Sequence, residues 1–450
     1  MKRITIIGGG ASGTLLAINL LKYRGEERIE INLLEKRPSV GHGVAFGTSH
    51  EVHLLNVPAG KMGAFPDDVE HFHRWLNAKG HDHGADAFVP RKYFAEYLNA
   101  TLDDARRNLP SNMVLNLYDV EAVDVDLEET GAKVICAEGD IFYSEAVVLA
   151  FGNFLPPHPS VPDLKFTNAT KYFQDAWSPA VETDIDPLDS VLIIGTGLSM
   201  ADMVMRLADK NHLGRITAIS TRGLLPAVHR LGFSHPPFYD ELRGKKKITE
   251  LLKEVRHQIE AAESDSGDWR AVIDSLRPFT QQIWLDLPLS EKRYFKQHLS
   301  RYWNAARHRM PPETAAVLAE LQSDGRLEIL KGRLQSIEHY ENFDVKYSFE
   351  GAKKTIRADA IINCIGSESN FAKLDAPLVQ NLFAKGALRS DPLNFGLDAY
   401  PDGAVIRANG ERSQFLFTLG TALKGTLWES TAIPEIRTQA RDLAERLLEN

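Results

Sequence analysis

"RITIIGGGASGTLLAINLLKYR" (residues 3–24) decides the fold. A short apolar run is followed by three glycines, and then by apolar residues at helical spacing. That order predicts a strand, a tight turn and a helix in immediate succession. Gly8, Gly10 and Gly13 stand in G-x-G-x-x-G register. The first glycine permits the bend, the second lets backbone approach a pyrophosphate, and the third lets the helix pack on the strand. The helix start offers unpaired N–H groups and its positive dipole end to phosphates. Alone, such a fingerprint is weak. Here the following strand, "IEINLLEK" (29–36), ends in Glu35, 22 residues after Gly13. A carboxylate there accepts both ribose hydroxyls and repels a 2′-phosphate, so the segment reads as a dinucleotide site.

The pattern returns in "DSVLIIGTGLSMADMVMRLADK" (189–210), with Gly195 and Gly197 in register. Met200 takes the third glycine position, while Ser199 and Ala201 keep the turn small. The next strand, "RITAIS" (215–220), runs into Ser220, Thr221 and Arg222, with no acid at the sugar-reading position. An arginine there accommodates a 2′-phosphate, because its fork matches phosphate oxygens. NADP is therefore favoured over NAD at this site. The other reading of Arg222 is a solvated surface residue.

Two such sites predict an α/β protein of two Rossmann-like dinucleotide-binding lobes, the first for FAD and the second for NADPH. "YSEAVVLAFGNFLPP" (143–157) and "IRADAIINCIGSESN" (356–370) each read as a strand and glycine loop closing a lobe. The expected boundaries are 1–165 for the first part of the FAD lobe, 166–355 for the NADP lobe and 356–450 for the return to the FAD lobe. The last stretch is a strand, a Gly/Thr loop and a helix, which makes Glu429 and Thr431 candidate flavin neighbours.

Residues from about 240 to 325 lack strand alternation and show helical period, so four helices are expected as an insertion in the second lobe. The segment is rich in Arg, His and Trp and ends in "RYWNAARHRM" (301–310). It reads either as an anion-recognising lid over a substrate or as cationic helix faces packed on the lobes.

Bulk properties narrow the class. The chain has 450 residues, and a single core rarely grows past about 250–300, so two or more lobes are expected. A net charge of -9 argues against a nucleic-acid partner. The two cysteines, Cys136 and Cys364, form no Cys-x-x-Cys, and each sits in an apolar run, so they read as buried free thiols. Low cysteine use fits a reducing compartment, and no apolar run is long enough to span a bilayer. The basic, apolar N-terminus is broken by glycines, unlike a signal peptide. The expected location is the cytoplasm. The histidine groups "HFH" (71–73), "HDH" (81–83) and "HRLGFSH" (229–235) lack acid or cysteine at metal spacing, so no metal is expected. His235 could line the cleft.

The run "IIGGGASG", "LLEK", "LAFGNFLPP", "VLIIGTGLSMAD" resembles the two-dinucleotide flavoprotein superfamily. Within it the chain is similar to the class B flavin monooxygenases, and closer to a bacterial group of FAD/NAD(P)-binding proteins. That group shares "GHGVAFG" (41–47), "LNVPAGKMGAFPDD" (55–68), "RHRM" (307–310) and "GTLWESTAIPEIR" (425–437). The resemblance implies FAD contacts at Gly8, Gly10, Ala11, Ser12 and Gly13. It extends them to Glu35 and Lys36, and to Gly43, Met62 and Gly152. On the NADPH side it implies Gly195, Gly197, Ser199, Thr221 and Arg222.

Flavin-containing monooxygenases carry a run that "LNVPAGKMGAFPDD" resembles at Asn56, Pro58, Met62, Phe65 and Asp67. In that family the asparagine lies beside the reactive edge of the flavin. The likeness implies Asn56 as the catalytic amide, donating to a flavin C4a-hydroperoxide in a dry pocket. The other reading of Asn56 is a turn residue capping its own loop. One motif departs. Where the family has F-x-G-x-x-x-H, this chain has "FTNATKY": Phe166 is kept, but Asn168 and Tyr172 replace Gly and His. That departure bears on oxygen transfer more than on flavin reduction.

The expected activity is therefore NADPH-driven, O2-using oxygenation of a nucleophilic nitrogen or sulfur, or a carbonyl, of a small molecule. The alternatives are a flavin-dependent NAD(P)H dehydrogenase serving a quinone, small acceptor or protein partner, and a non-catalytic nucleotide sensor. Nothing in the sequence fixes the substrate or the oligomeric state.

Overall fold

The computed structural model describes residues 1–37 and 39–449. The first lobe is built on a six-stranded sheet. Its order is Ala404–Ile406, Arg412–Thr418, Ala146–Leu149, Lys2–Ile7, Ile29–Glu35 and Met113–Asp119. All neighbours are parallel except the first pair. Both faces of this sheet are covered, which is why strand 146–149 is apolar throughout rather than alternating. On one face helix Ala11–Leu20 packs with Phe94, Tyr97 and Leu98 of helix Arg91–Arg107 and with Ile436, Ala440 and Leu443 of helix Ile433–Glu449. On the other lies an antiparallel meander, Ala122–Leu127, Ala132–Cys136 and Ile141–Ser144.

The second lobe repeats this plan. Its five-stranded parallel sheet runs Leu327–Lys331, Ile216–Ser220, Val191–Ile194, Ala360–Asn363 and Tyr172–Phe173, and a second meander spans Arg333–His339, Phe343–Phe349 and Ala352–Ala358. The α/β class with two Rossmann-like lobes is therefore observed. One boundary moves. Strand Ala360–Asn363 pairs with Val191–Ile194, so the second lobe runs past Asn363 rather than ending at 355.

The insertion holds more helices than the four expected. "WRAVIDSLRPFTQQIWLDL" breaks at Pro278 into Trp269–Ser275, a 3-10 turn and Thr280–Asp286, because proline cannot donate within a helix. "SEKRYFKQHLSRYWNAARHRM" divides at Leu299 into Leu289–His298 and Ser300–Arg307. Helix Pro312–Ser323 belongs to the second-lobe core through Leu318 and Leu321.

A buried ion pair joins the lobes. Arg91 places Nη2 2.8 and 3.0 Å from the Asp202 carboxylate. Removing one partner of such a pair costs about 3–5 kcal/mol. His53, fully buried, sits beside it and meets the Asp202 carbonyl at 3.2 Å through Nε2. Burial, with Arg91 nearby, holds this imidazole down at about 3, so it is neutral. Among the described residues no helix is long and apolar enough to cross a membrane.

Candidate functional site

The first glycine turn has no room for side chains at Gly8, Gly9 or Gly13. Gly8 has φ +107°, and a Cβ there would stand 2.4 Å from the Ala150 carbonyl oxygen. A Cβ on Gly13 would stand 1.9 Å from the Gly8 oxygen. Gly9, which the fingerprint leaves open, is also constrained: its N–H donates to Glu35 Oε2 at 2.7 Å, and a Cβ would meet Glu35 Cβ at 2.8 Å. The second Glu35 oxygen accepts from the Arg37 N–H at 3.0 Å. Glu35 is thus fixed by backbone, with lone pairs left for a ligand. Lys36 turns away, to Glu121 on the surface at 2.8 Å.

Further glycine-bearing segments close on this turn. Gly43 (φ +54°) would place a Cβ 3.4 Å from Gly10 Cα, and Gly41 donates to the Gly9 carbonyl at 2.7 Å. Gly152 (φ +68°) has its carbonyl held by the Thr421 hydroxyl. Gly420 packs on Ser12, where a Cβ would meet Ser12 Oγ at 2.8 Å. The chain's last strand and loop do return to the first lobe. Above the turn the backbone is open among the described residues: a Cβ on Gly152 meets none of them within 4 Å, and one on Gly10 meets only Gly43 Cα at 3.6 Å. That space, with the free N–H groups of Ala11, Ser12 and Gly13 at the helix start, fits a dinucleotide pyrophosphate.

The stretch 53–68 is a strap without regular period because its backbone is bonded elsewhere. Leu55, Ala59 and Gly60 donate to the carbonyls of Val89, Ala87 and Ala85. Its own carbonyls are taken by side chains from three distant elements. Arg91 donates to Leu54 O at 2.9 Å, His229 Nε2 to Asn56 O at 3.0 Å, and Arg437 to Lys61 O and Gly63 O at 3.0 Å each. His229 is held down at about 4 by burial and by Arg309, so it is a neutral imidazole with its proton on Nε2. The Asn56 side-chain amide is half-buried and makes no hydrogen bond among the described residues. Met62 is 2% exposed and packs in the first-lobe core. The structure thus assigns its side chain to holding the strap down rather than to contacting a cofactor. His229, singled out only within a histidine group, is a residue that sequence reasoning missed.

At the second turn Gly195 (φ +117°) would place a Cβ 2.2 Å from Cys364 O. A Cβ on Gly197 would meet none of the described residues within 4 Å, which leaves space for a ligand above the start of helix Leu198–Asp209, where Ser199 is half-buried. Met200 is fully buried in the second-lobe core, so it packs the helix on the sheet where a glycine would otherwise let it approach. Thr221 and Arg222 are exposed and line a pocket of about 230 Å³ with Arg301, Lys331, Gly332, Arg333, Ser348, Phe349 and Glu350. Four cations from four segments thus meet at the sugar-reading end of strand Ile216–Ser220. Arg301, Lys331 and Arg333 were missed. The available signal was register, since Ser220 pairs with Lys331 across the sheet.

Glu429 and Thr431 part company. Trp428 has φ +62° and ψ -69°, and the Glu429 N–H donates to Leu427 O at 2.8 Å, which makes a γ-turn at a bulky residue. Such backbone costs about 1–3 kcal/mol and persists where its surroundings over-determine it. Here Trp284 and Phe295 clamp the Trp428 ring, at centroid distances of 5.0 and 4.9 Å. The turn buries Glu429 and leaves Thr431 exposed. The Glu429 carboxylate accepts from Trp303 Nε1 at 2.7 Å and stands 3.8 Å from His308, so it faces the insertion. Burial opposes its ionisation, but His308, Arg307 and the Trp303 N–H together hold it below the usual carboxylate range.

The departing motif is packed rather than open. Phe166 is buried edge-on to Tyr172 at 5.0 Å, and the Tyr172 hydroxyl meets His158 Nδ1 at 2.9 Å. Both cysteines are buried free thiols, and burial pushes Cys136 up to about 11. His235 pairs with Gln258 of the insertion at 3.3 Å.

Residues 5–154 match the family described as FAD-NAD(P)-binding. A comparison with curated proteins finds no match. Among solved structures the chain is similar to the ornithine N-hydroxylase of Kutzneria sp. 744, at TM-score 0.66 and 14% identity over 99% of this chain and 98% of that one. It is similar to the L-lysine 6-monooxygenase of Pseudomonas syringae, at TM-score 0.65 and 15% identity over 100% and 99%. It is also similar to the bacillithiol disulfide reductase of Staphylococcus aureus, at TM-score 0.61 and 12% identity over 100% and 99%. The fold is that of the two-dinucleotide-binding flavoproteins, in agreement with the resemblance carried by the motifs.

Proposed function

We propose that the protein is an FAD-dependent, NADPH-using monooxygenase acting on a nucleophilic nitrogen or sulfur, or a carbonyl, of a small molecule. The observation that carries this reading is Asn56: a free amide on a strap whose carbonyl is held from the second lobe by neutral His229. The likeness to two N-hydroxylating enzymes supports it. When bound, FAD and NADPH would supply the hydride-transfer and dioxygen chemistry.

The chain's own residues bind and orient. Gly8, Gly10 and Gly13 admit the pyrophosphate, and Glu35 receives the ribose of FAD. Gly195 and Gly197 admit the second dinucleotide, and Arg222 with Arg301, Lys331 and Arg333 takes the 2′-phosphate. Asn56 would offer an uncharged donor to the flavin, and His229 fixes its backbone without adding charge.

A second reading, an NAD(P)H dehydrogenase passing electrons onward, draws on the likeness to the disulfide reductase. Two separate buried thiols give it no dithiol to work with. Mixing the NADPH-reduced holoprotein with oxygen in a stopped-flow spectrometer separates the two. The monooxygenase reading expects a spectrally distinct transient before oxidised flavin returns, and direct reoxidation sinks it. In Asn56→Ala the transient decays faster and more peroxide is released per NADPH; unchanged decay returns Asn56 to a loop-capping role.

A further inference from the structure

Behind the strap, the insertion and the C-terminal loop enclose a cluster with more cations than anions. Arg277, Arg307, Arg309, Lys424 and Arg437 face Glu429, Glu435 and Asp274. The carboxylates are already taken. Arg277 holds Glu435 through two bonds of 2.7 and 2.9 Å, Arg309 pairs with Asp274, and Trp303 donates to Glu429. Arg437 spends donors on the strap carbonyls.

Two cations are left over. Arg307 is 9% exposed, its Nε has no partner, and its nearest carboxylate oxygen, on Glu435, is 3.8 Å from Nη2. Its side chain makes no hydrogen bond among the described residues. Lys424 is half-buried beside the Phe395 and Trp428 rings, 5.4 and 5.8 Å from their centroids, and likewise has no hydrogen-bond acceptor among the described residues. A guanidinium has five donors and no means of shedding its charge, so burying it unsatisfied is costly. The arrangement makes sense when an anion completes it. Half-exposed His308 and exposed Thr431 leave one side of the cluster open to solvent. The cluster also borders the strap, since Arg437 bonds Lys61 and Gly63 while Arg309 acts on His229, the holder of Asn56.

We propose that the small molecule this protein acts on carries an anionic group, a carboxylate or phosphate, which docks on Arg307 and Lys424. The proposal rests on the oxidoreductase reading for what happens to the rest of the molecule, but not for the binding of the anion. The insertion's final helix then serves as the recognition element for the substrate's acid. Glu429, held by the Trp303 N–H, is the carboxylate that both cations share as a neighbour.

The test uses holoprotein loaded with FAD and saturated with NADP+, so that the Arg222 pocket is filled. Succinate and its uncharged counterpart succinamide are titrated by calorimetry and by thermal shift. Succinate should bind and raise the melting temperature, and succinamide should do neither. Arg307→Met and Lys424→Met should each weaken succinate about tenfold or more, the size expected for a lost charge-assisted hydrogen bond. Lys424 is less buried than Arg307, so its variant remains informative if Arg307→Met fails to fold. Equal binding of both probes, no binding of either, or succinate affinity unchanged in Lys424→Met overturns the proposal. Variants that move the flavin midpoint potential while succinate affinity holds assign the cations to the reduced flavin and overturn it too. Flavin reduction and an oxygen-dependent transient without succinate binding remove only this inference. Succinate binding without NADPH oxidation removes only the functional reading.

Discussion

The two glycine turns do the same job with different parts. In the first, Gly13 lets helix Ala11–Leu20 come so close that a Cβ would lie 1.9 Å from the Gly8 oxygen. In the second, fully buried Met200 occupies that place and fills the gap between helix and sheet. At the sugar end the contrast sharpens. Glu35 is buried and held by two backbone N–H groups, whereas Thr221 and Arg222 are exposed at a pocket lined by three further cations. The first turn is pre-set by contacts within the protein and suited to a resident cofactor. The second is open and electrostatic, as the proposed function asks of a dinucleotide that arrives and leaves each cycle.

The largest expected effect breaks the comparison at its root. Gly13→Val forces helix from strand, and the expected outcome is no soluble flavin-loaded protein. At Met200, Met200→Val keeps an apolar side chain in the core, and should cost only about 1–3 kcal/mol, between the Ile→Val and Met→Ala ranges for buried atoms removed. Expression yield, flavin content and thermal melting of the two variants measure this. Equal loss in both would show that the turns are not packed differently.

Next in size is the sugar end. Arg222→Ala and Arg333→Ala should each raise the KM for NADPH about tenfold, as for a lost charged contact, and leave the KM for NADH almost unmoved. Glu35→Gln should instead lower FAD retention and leave the NADPH-to-NADH ratio alone. Steady-state kinetics with both nicotinamides, together with flavin release on gel filtration, separate these outcomes. A shift in coenzyme preference from Glu35→Gln would mean that the lobes had been assigned in the wrong order.

Both turns were legible because each is written in a short window: strand, glycines, helix and the end of the next strand. The basic pocket was legible at Arg222 alone. Lys331 and Arg333 reach it through parallel pairing with Ile216–Ser220, and Arg301 through the packing of a helix whose neighbours no local pattern specifies. The strap was legible as a motif at Asn56, but its structural logic was not. Its carbonyls are bonded by Arg91, His229 and Arg437, residues that come together only in three dimensions. The side-chain environment of Glu429 depended on a γ-turn at Trp428, a conformation that sequence gives no reason to expect there.

The smallest effect sharpens the same contrast. Lys36 follows the sugar-reading acid of the first lobe, much as Arg222 stands at the corresponding end of the second. The structure turns Lys36 to Glu121 across the surface, with side chains 59% and 43% exposed. Exposed pairs of this kind contribute about 0–1 kcal/mol, since solvent screens them and two long side chains must be ordered. Lys36→Ala should therefore shift the melting temperature little, and the shift should shrink further as salt is raised. Flavin content should match that of the parent. If Lys36→Ala instead loses flavin as readily as Glu35→Gln, the ammonium swings from Glu121 to the cofactor on binding. The first turn would then be electrostatic too, and the division between a pre-set turn and an open one would not hold.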